Sequence, residues 1–271
     1  MSSDRPPAGR FHDLLTRTLT GLVLGAVTLA AVAAGGVWTA LLFALAAGAM
    51  IWELARITQT PIAAGVMILM AAGFASVLVT EAVLFRYGAL VLALGAGLAL
   101  ATGLRRDPAL LGGYAWIGAA MCCVEGLRDD PLYGFEAVLW LFVTVIASDV
   151  GGYFGGRLIG GPKLWPALSP KKTWAGSLAG MALAALTGAV FSRLTTGTFV
   201  HEVAPVSALV AFVAQLGDLG ESAFKRRYGA KDSSGLLPGH GGVLDRLDAL
   251  MAAAIVSAAL TFWRGKSIFI W

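Results

Sequence analysis

Long apolar segments recur along the whole sequence, and they constrain the fold more than any other feature. The chain has 271 residues, of which 58% are hydrophobic and 13% are charged. Soluble domains carry about 25% charged residues, so this composition excludes a soluble domain. Because about 20 apolar residues cross the core of a bilayer, the sequence predicts an all-α polytopic membrane protein.

The apolar pattern predicts about nine transmembrane helices under this length criterion. Their expected extents are 18–36, 37–53, 61–80, 88–104, 109–125, 135–150, 174–192, 203–220 and 246–263. The tight Gly35-Gly36 connection favours a helical hairpin for the first two. The first segment follows several arginines and could imitate a secretory signal, but it is long enough to remain a span. No repeat or linker divides the array, so residues 1–271 are interpreted as one domain.

The distribution of Lys and Arg predicts the orientation of these helices. With the N-terminus inside, fifteen of the twenty basic residues fall on the cytoplasmic side. These are Arg5, Arg10, Arg17, Arg56, Arg105, Arg106, Arg157, Lys163, Lys171, Lys172, Lys225, Arg226, Arg227, Lys231 and Arg246. The other five are Arg86, Arg128, Arg193, Arg264 and Lys266. The bias predicts that the two longest polar loops, and with them a polar site, face the cytoplasm.

The first of these polar loops follows the sixth predicted helix. Asp149 stands at the end of an apolar segment, where a carboxylate is costly unless it meets a cation or water. An interfacial acid that simply reaches water is the alternative interpretation. Lys171 and Lys172 supply positive charges suited to phosphate, although they would also serve as an ordinary positive flank.

The second polar loop lies in region 215–250 and begins with a dense set of charges. If the eighth helix continues into it, Asp218, Glu221, Ser222 and Lys225 follow the spacing i, i+3, i+4 and i+7. Residues at this spacing share one helical face. One face would therefore carry acids and a base together.

The start of the ninth predicted helix repeats this arrangement. Asp245 and Asp248 form an i, i+3 pair with Arg246 beside them. Carboxylates at two helix ends make an oxygen site suited to Mg²⁺, which commonly bridges one or two carboxylates to substrate phosphates. A solvated loop with surface ion pairs is the alternative, but it does not explain acids at the ends of two consecutive apolar spans.

Several residues between these two helix ends suit a phosphate group. Lys225, Arg226 and Lys231 would neutralise its charge, while Gly241 and Gly242 precede a helix and could offer backbone N–H groups. His240 is kept as a site residue without an assigned role.

The segment from Ser222 to Asp248 resembles the signature of the phosphatidate cytidylyltransferases, also called CDP-diacylglycerol synthases. The matching residues are Ser222, Phe224, Lys225, Arg226, Lys231, Asp232, Ser234, Leu237, Pro238, His240, Gly241, Gly242, Val243, Asp245, Arg246, Leu247 and Asp248. The Gly217-Asp218-Leu219 run with Glu221, the segment 169–174 and the pair Trp52-Glu53 are also similar to that family. Two positions depart from its pattern: Ala175, where an acid is expected, and Ser148, where Asn often precedes the Asp.

This resemblance implies a reaction in which the phosphate of phosphatidic acid attacks the α-phosphorus of CTP. The products are CDP-diacylglycerol, for phospholipid biosynthesis, and pyrophosphate. The resemblance also implies that Asp218 and Asp245 bind Mg²⁺, with a monovalent K⁺ allowed beside it. Lys225 and Lys231 join these two aspartates as expected catalytic residues.

The other implied site residues divide into two groups. The residues expected to bind substrate phosphates are Lys171, Lys172, Ser222, Arg226, His240, Gly241, Gly242 and Arg246. The residues expected to support the site are Asp149, Glu221, Asp232 and Asp248.

The expected partners are CTP, phosphatidic acid and membrane lipids, in a bacterial-type inner membrane with the active-site loops in the cytoplasm. The many small residues allow close helix packing and hence a homodimer. Nucleic acid is not an expected partner, because the basic residues lie beside apolar spans and no basic-aromatic motif appears.

Two other functions remain open at the level of sequence. A CTP-dependent polyprenol or dolichol-type lipid kinase would use an alcohol nucleophile and a general base such as His240. A transporter or channel would line a cation path with Asp149, Asp218 and Asp245. The acids gather at the predicted cytoplasmic ends while the other spans are nearly featureless, which disfavours transport.

Overall fold

Nine α-helices form most of the chain that the computed structural model describes, which is residues 9–104, 107–166, 168–197 and 201–270, with only the backbone for 9–15. The helices are α1 (Gly9–Ala34), α2 (Val37–Ile57), α3 (Ala64–Ala82), α4 (Phe85–Ala101), α5 (Pro108–Arg128), α6 (Gly134–Leu158), α7 (Trp174–Thr196), α8 (Val203–Arg227) and α9 (Leu244–Arg264). The all-α architecture predicted from the sequence is confirmed.

Eight of the nine helices in the described ranges are long and apolar enough to cross a membrane. The ninth, α4, is also apolar but has only 17 residues. Large apolar side chains such as Leu22, Leu94 and Leu186 are exposed on the outside of the bundle. This is the distribution expected when lipid is the surrounding solvent. The chain is therefore an integral membrane protein.

The helices at the polar loops extend further than the apolar pattern predicts. α6 continues to Leu158 instead of ending near 150, and α8 continues to Arg227 instead of ending near 220. Hydropathy marks where the hydrocarbon core ends, whereas a helix stops only where its backbone hydrogen bonds stop. Because α8 continues through Lys225, the predicted shared face of Asp218, Glu221, Ser222 and Lys225 lies on a single helix.

A short β-hairpin, which the sequence did not predict, lies between α6 and α7. Its strands β1 (Lys163–Trp165) and β2 (Ser169–Thr173) pair antiparallel. The hairpin leads directly into α7, where Thr173 caps the helix by accepting a hydrogen bond from the Gly176 N–H at 3.1 Å. Lys171 and Lys172 are thereby held on a strand next to the start of α7.

Helices α6 and α7 approach closely because glycines line their contact. A Cβ added at Gly180 would lie 2.5 Å from the Ser148 carbonyl oxygen, and one at Gly176 would lie 2.7 Å from the Gly152 carbonyl oxygen. Small residues commonly allow this backbone approach in membrane bundles.

A second glycine feature, the positive-φ pair Gly35-Gly36, joins α1 to α2 and confirms the expected hairpin.

The ends of five elements meet on one side of the bundle. They are the C-terminal ends of α2, α6 and α8 and the N-terminal ends of α7 and α9, and polar contacts join them. Among the basic residues used to predict orientation, Arg5, Arg105, Arg106 and the side chain of Arg10 lie outside the described residues.

Candidate active site

The last turns of α8 carry acids and bases on one face, as predicted. The Ser222 hydroxyl donates a hydrogen bond to Asp218 Oδ1 at 3.4 Å, and Lys225 Nζ lies 2.8 Å from Glu221 Oε2. Both contacts join residues four positions apart, so the helix itself sets their geometry.

The β-hairpin brings a cation to this face from another part of the chain. Lys172 forms an ion pair with Asp218. Beneath it the buried Gln215 side chain joins three helices, since its Nε2 donates to Ser148 Oγ at 2.9 Å and its Oε1 accepts a hydrogen bond from Ser177. Gln215 was given no role from the sequence, although an amide within an apolar span is a signal of such a network.

Asp245, in the first turn of α9, is surrounded by donors. Its Oδ1 accepts a hydrogen bond from Lys225 Nζ at 2.6 Å, and its Oδ2 accepts from the Ser233 hydroxyl and the Gly242 N–H, each at 2.9 Å. The side chains of Lys225 and Asp245 are only 11% and 6% exposed. Asp245 therefore ties α8, α9 and the loop between them together through a buried ion pair.

A second buried carboxylate, Glu53 at the end of α2, holds the same loop. It accepts hydrogen bonds from the N–H groups of Val243 and Leu244 at 3.0 and 2.7 Å and from the Ser234 hydroxyl, and the Ser233 hydroxyl lies 3.3 Å from its Oε2. The first N–H groups of a helix have no partners within the helix, and Val243 offers no capping side chain. Glu53 supplies the missing acceptor, a role that the sequence did not reveal.

Other carboxylates of the site are crowded together with few donors. Asp149 lies within electrostatic range of Asp218, and Asp248 lies within range of both Asp218 and Glu221. Both oxygens of Glu221 are buried; Oε2 is paired with Lys225 Nζ at 2.8 Å, and Oε1 has no hydrogen-bond partner within the described part of the chain. Like charges held this close repel one another unless a cation joins them.

This crowding fits the donor chemistry of a Mg²⁺ site. Among the described residues, no group of three His, Cys, Asp or Glu side chains could hold a metal ion. Mg²⁺ does not require such a cage, because it is commonly held by one or two carboxylates together with waters and substrate phosphates. Asp218, Glu221, Asp248 and Asp245 offer oxygen ligands of this kind, and the buried Glu221 Oε1, which has no partner among the described residues, fits the approach of a cation.

Two cavities of different chemistry flank α8. One has a volume of about 510 Å³ and is basic, since three cationic side chains in its wall outnumber one acid: Arg157, Lys171 and Lys172 against Asp149. The other has a volume of about 590 Å³ and lies among α2, α5, α8 and α9. Its wall is largely apolar but includes Glu221, Asp248 and Arg227. The first cavity suits a phosphate-bearing ligand, and the second suits an apolar group attached to a charged one.

The remaining basic candidates lie toward the solvent-exposed rim. Arg226 bonds the Ala230 carbonyl oxygen at 3.4 Å, and Lys231 and Asp232 are exposed in the following loop. Arg246 is also exposed and lies within electrostatic range of Asp149. These residues surround the site rather than joining its buried hydrogen bonds.

His240 and its neighbours form a tight turn. The N–H groups of His240 and Gly241 donate to the Leu237 carbonyl oxygen at 2.9 and 3.1 Å, and Gly241 has a φ of +84° that favours glycine. His240 Nδ1 is buried and has no hydrogen-bond partner among the described residues. The Gly242 N–H, expected to face an anion, donates to Asp245 in this structure.

Comparison with known proteins identifies relatives along most of the chain. A family model described as the cytidylyltransferase family matches residues 15–263. The chain is 39% identical to the phosphatidate cytidylyltransferase of Brucella suis over 89% of this chain and 91% of that protein. It is 40% identical to that of Helicobacter pylori over 58% and 59%, and 43% identical to that of Haemophilus influenzae over 48% and 47% of the respective chains.

Proposed function

Because the chain belongs to the cytidylyltransferase family, we propose that it transfers the cytidylyl group of CTP to phosphatidic acid and releases pyrophosphate. The product is CDP-diacylglycerol. The observation that carries the proposal is the pairing of a basic cavity with a largely apolar one across the acids of α8. A reaction between a water-soluble nucleotide and a membrane lipid needs these two environments side by side.

In this proposal each cavity receives the substrate whose chemistry it matches. The CTP phosphates lie in the basic cavity, where Lys171, Lys172 and Arg157 offset their charge. The phosphatidic acid enters the largely apolar cavity and keeps its acyl chains toward the hydrocarbon, while its phosphate approaches Glu221 and Asp248.

Mg²⁺ is part of the proposal, with Asp218 and Asp245 as its ligands, Glu221 and Asp248 in support, and K⁺ allowed beside it. When bound, Mg²⁺ would neutralise phosphate charge and align the substrates. The crowded carboxylates and the buried, unpaired Oε1 of Glu221 support this proposal.

The reaction requires alignment of the substrates and neutralisation of their charge, and it does not require a strong base. A phosphomonoester has a second pKa of about 6 and is largely ionised at neutral pH. Its oxygen forms a bond to the α-phosphorus of CTP as the bond from that phosphorus to the pyrophosphate oxygen breaks. Lys172 lines the basic cavity and is already held in place by Asp218, so it can stabilise the departing pyrophosphate without reorganising.

The proposed location is the inner membrane, with the site on the cytoplasmic side. The excess of Lys and Arg on the loops of that side supports this orientation. A homodimer is also proposed, since glycines allow close helix packing, and the mass of the detergent-solubilised protein would test it.

The function can be tested with purified protein in detergent, phosphatidic acid, labelled CTP and Mg²⁺. We expect labelled CDP-diacylglycerol and pyrophosphate in equal amounts, and neither product with Asp218→Ala or Asp245→Ala. Release of CDP in the presence of an added polyprenol, with no CDP-diacylglycerol from phosphatidic acid, would contradict the proposal and support a lipid kinase.

A further inference from the structure

The loop of residues 233–243, called here the anchored loop, is held at both ends by carboxylates from different helices. Asp245 of α9 accepts hydrogen bonds from the N–H groups of Ser233 and Gly242, and Glu53 of α2 accepts hydrogen bonds from the Ser234 hydroxyl and the Val243 N–H. Because Glu53 lies 180 positions before Ser233 in the sequence, this second anchor links the anchored loop to a remote helix.

Complete burial of Glu53 makes its hydrogen bonds essential. The residue has no exposed surface, and a buried carboxylate is costly unless donors surround it. Two of its donors are the N–H groups of Val243 and Leu244 at the start of α9, where the helix dipole also favours negative charge. The first turn of α9 and the Glu53 carboxylate therefore stabilise each other.

The two anchors share atoms. The Ser233 hydroxyl lies 3.3 Å from Glu53 Oε2 and 2.9 Å from Asp245 Oδ2. At Gly242, an added Cβ would lie 2.5 Å from Glu53 Oε1, so the backbone passes directly over the carboxylate. Any shift of Glu53 would consequently move the donors of Asp245.

Asp245 transmits this arrangement to α8. It holds Lys225 Nζ at 2.6 Å, and the same nitrogen lies 2.8 Å from Glu221. A continuous set of contacts thus runs from Glu53 through the anchored loop to the acids and bases of the site. Glu53 itself lines neither of the two cavities that flank α8.

We propose that Glu53 is a positioning residue for cytidylyl transfer, which sets the anchored loop and the first turn of α9 so that Asp245 and Lys225 are correctly aimed. This inference rests on the proposed function. According to this inference, α2 controls the geometry of the site through Glu53, although none of its side chains contacts the reacting atoms.

The test compares Glu53→Gln with Glu53→Asp and a matched control, Glu125→Gln. Glu125 is 1% exposed, lies within α5 and makes no contact with the anchored loop among the interactions described. Gln has the same shape as Glu but replaces one acceptor oxygen with a donor group, so one pair of loop donors loses its partner. Asp retains the charge on a side chain one carbon shorter.

The expected result for Glu53→Gln is a fall in kcat of about 10- to 100-fold, as for other residues that orient catalytic ligands, and a higher Mg²⁺ requirement. Backbone amide hydrogen exchange should accelerate in residues 233–247, because either the Val243 or the Leu244 N–H group loses its acceptor. Glu53→Asp should recover part of kcat. Glu125→Gln should change neither kcat nor exchange in this segment.

Several outcomes would overturn the inference. One is wild-type kcat and wild-type exchange in Glu53→Gln; another is an equal loss of kcat in Glu125→Gln. If Glu53→Gln does not fold, Ser234→Ala takes its place, since it removes one donor and leaves the carboxylate, and unchanged kcat and exchange in that variant would also overturn the inference. Failure of wild-type protein to form CDP-diacylglycerol would instead count against the proposed function.

Discussion

Asp245 and Asp218 belong to facing helix ends, yet their surroundings differ. Asp245 is 6% exposed and accepts hydrogen bonds from Lys225, Ser233 and Gly242. Asp218 is 33% exposed, pairs with Lys172 and accepts one long hydrogen bond of 3.4 Å from Ser222. The carboxylate of Asp245 is thus surrounded by donors from the protein, whereas that of Asp218 leaves positions open for a ligand.

The largest expected effect follows from Asp218→Asn. Turnover should fall by about 10²- to 10³-fold, the range for loss of a group that stabilises transition-state charge. The thermal midpoint in detergent should stay level or rise, because removing one of several crowded negative charges relieves repulsion from Asp149 and Asp248. Wild-type turnover would show that Asp218 does not act in the reaction. A clear fall in the thermal midpoint would show that Asp218 stabilises the fold, which would contradict the contrast with Asp245.

Asp245→Asn should reduce both turnover and stability. Turnover should fall by about 10²-fold. Breaking this buried ion pair leaves Lys225 with Glu221 as its remaining carboxylate partner and removes a hydrogen bond between charged groups, which costs about 2 kcal/mol. The thermal midpoint should therefore fall clearly below that of Asp218→Asn.

A double variant, Asp245→Asn with Lys225→Met, is the control for this explanation. If the ion pair is the cause, the double variant should lose less stability than the sum of the losses in Asp245→Asn and Lys225→Met, and it should recover none of the lost turnover. Additive losses of stability would show that the ion pair is not the cause.

Sequence periodicity was sufficient to predict one half of this comparison. The apolar segments identified the helices, and the i, i+3, i+7 spacing placed Asp218, Glu221 and Lys225 on one face, because both features depend on residues close together in the chain. The two helix ends rich in acids were recognised for the same reason.

The surroundings that distinguish the two aspartates could not be predicted in this way. Glu53 and Ser234 are 181 positions apart, and Gln215 and Ser148 are 67 positions apart, so no local pattern links either pair. The β-hairpin that delivers Lys172 also lacked a signal, since its strands are short and rich in polar residues without an apolar alternation.

Gly242→Ala should reduce turnover less than the two aspartate variants do, by disturbing the hydrogen bonds around Asp245. The new Cβ would lie 1.8 Å from the Ser233 hydroxyl oxygen and 2.5 Å from Glu53 Oε1, so the anchored loop must move. We expect turnover to fall by about tenfold, which corresponds to about 1.4 kcal/mol in the activation barrier.

The matched control is Gly235→Ala in the same loop. A Cβ at Gly235 would meet nothing within 4 Å, so turnover and thermal midpoint should remain those of the wild type. Equal losses of turnover in Gly242→Ala and Gly235→Ala would show that the loop is sensitive to any substitution. Crowding at Gly242 would then not be the cause.

The smallest expected effect concerns the neutral hydrogen bonds beneath Asp218. Ser148 and Ser257 are both 2% exposed, but Ser148 accepts a hydrogen bond from Gln215 whereas the Ser257 hydroxyl has no partner among the described residues. Ser148→Ala should cost about 1 kcal/mol of stability, and Ser257→Ala should cost none, because only the first leaves a buried donor unsatisfied. Thermal midpoints in detergent would measure the difference, and turnover should stay within about twofold of wild type in both. Equal midpoints for the two variants would mean that Gln215 does not cross-link α6 to α8, and the stability of the Asp218 side would then have to come from the glycine packing of α6 and α7.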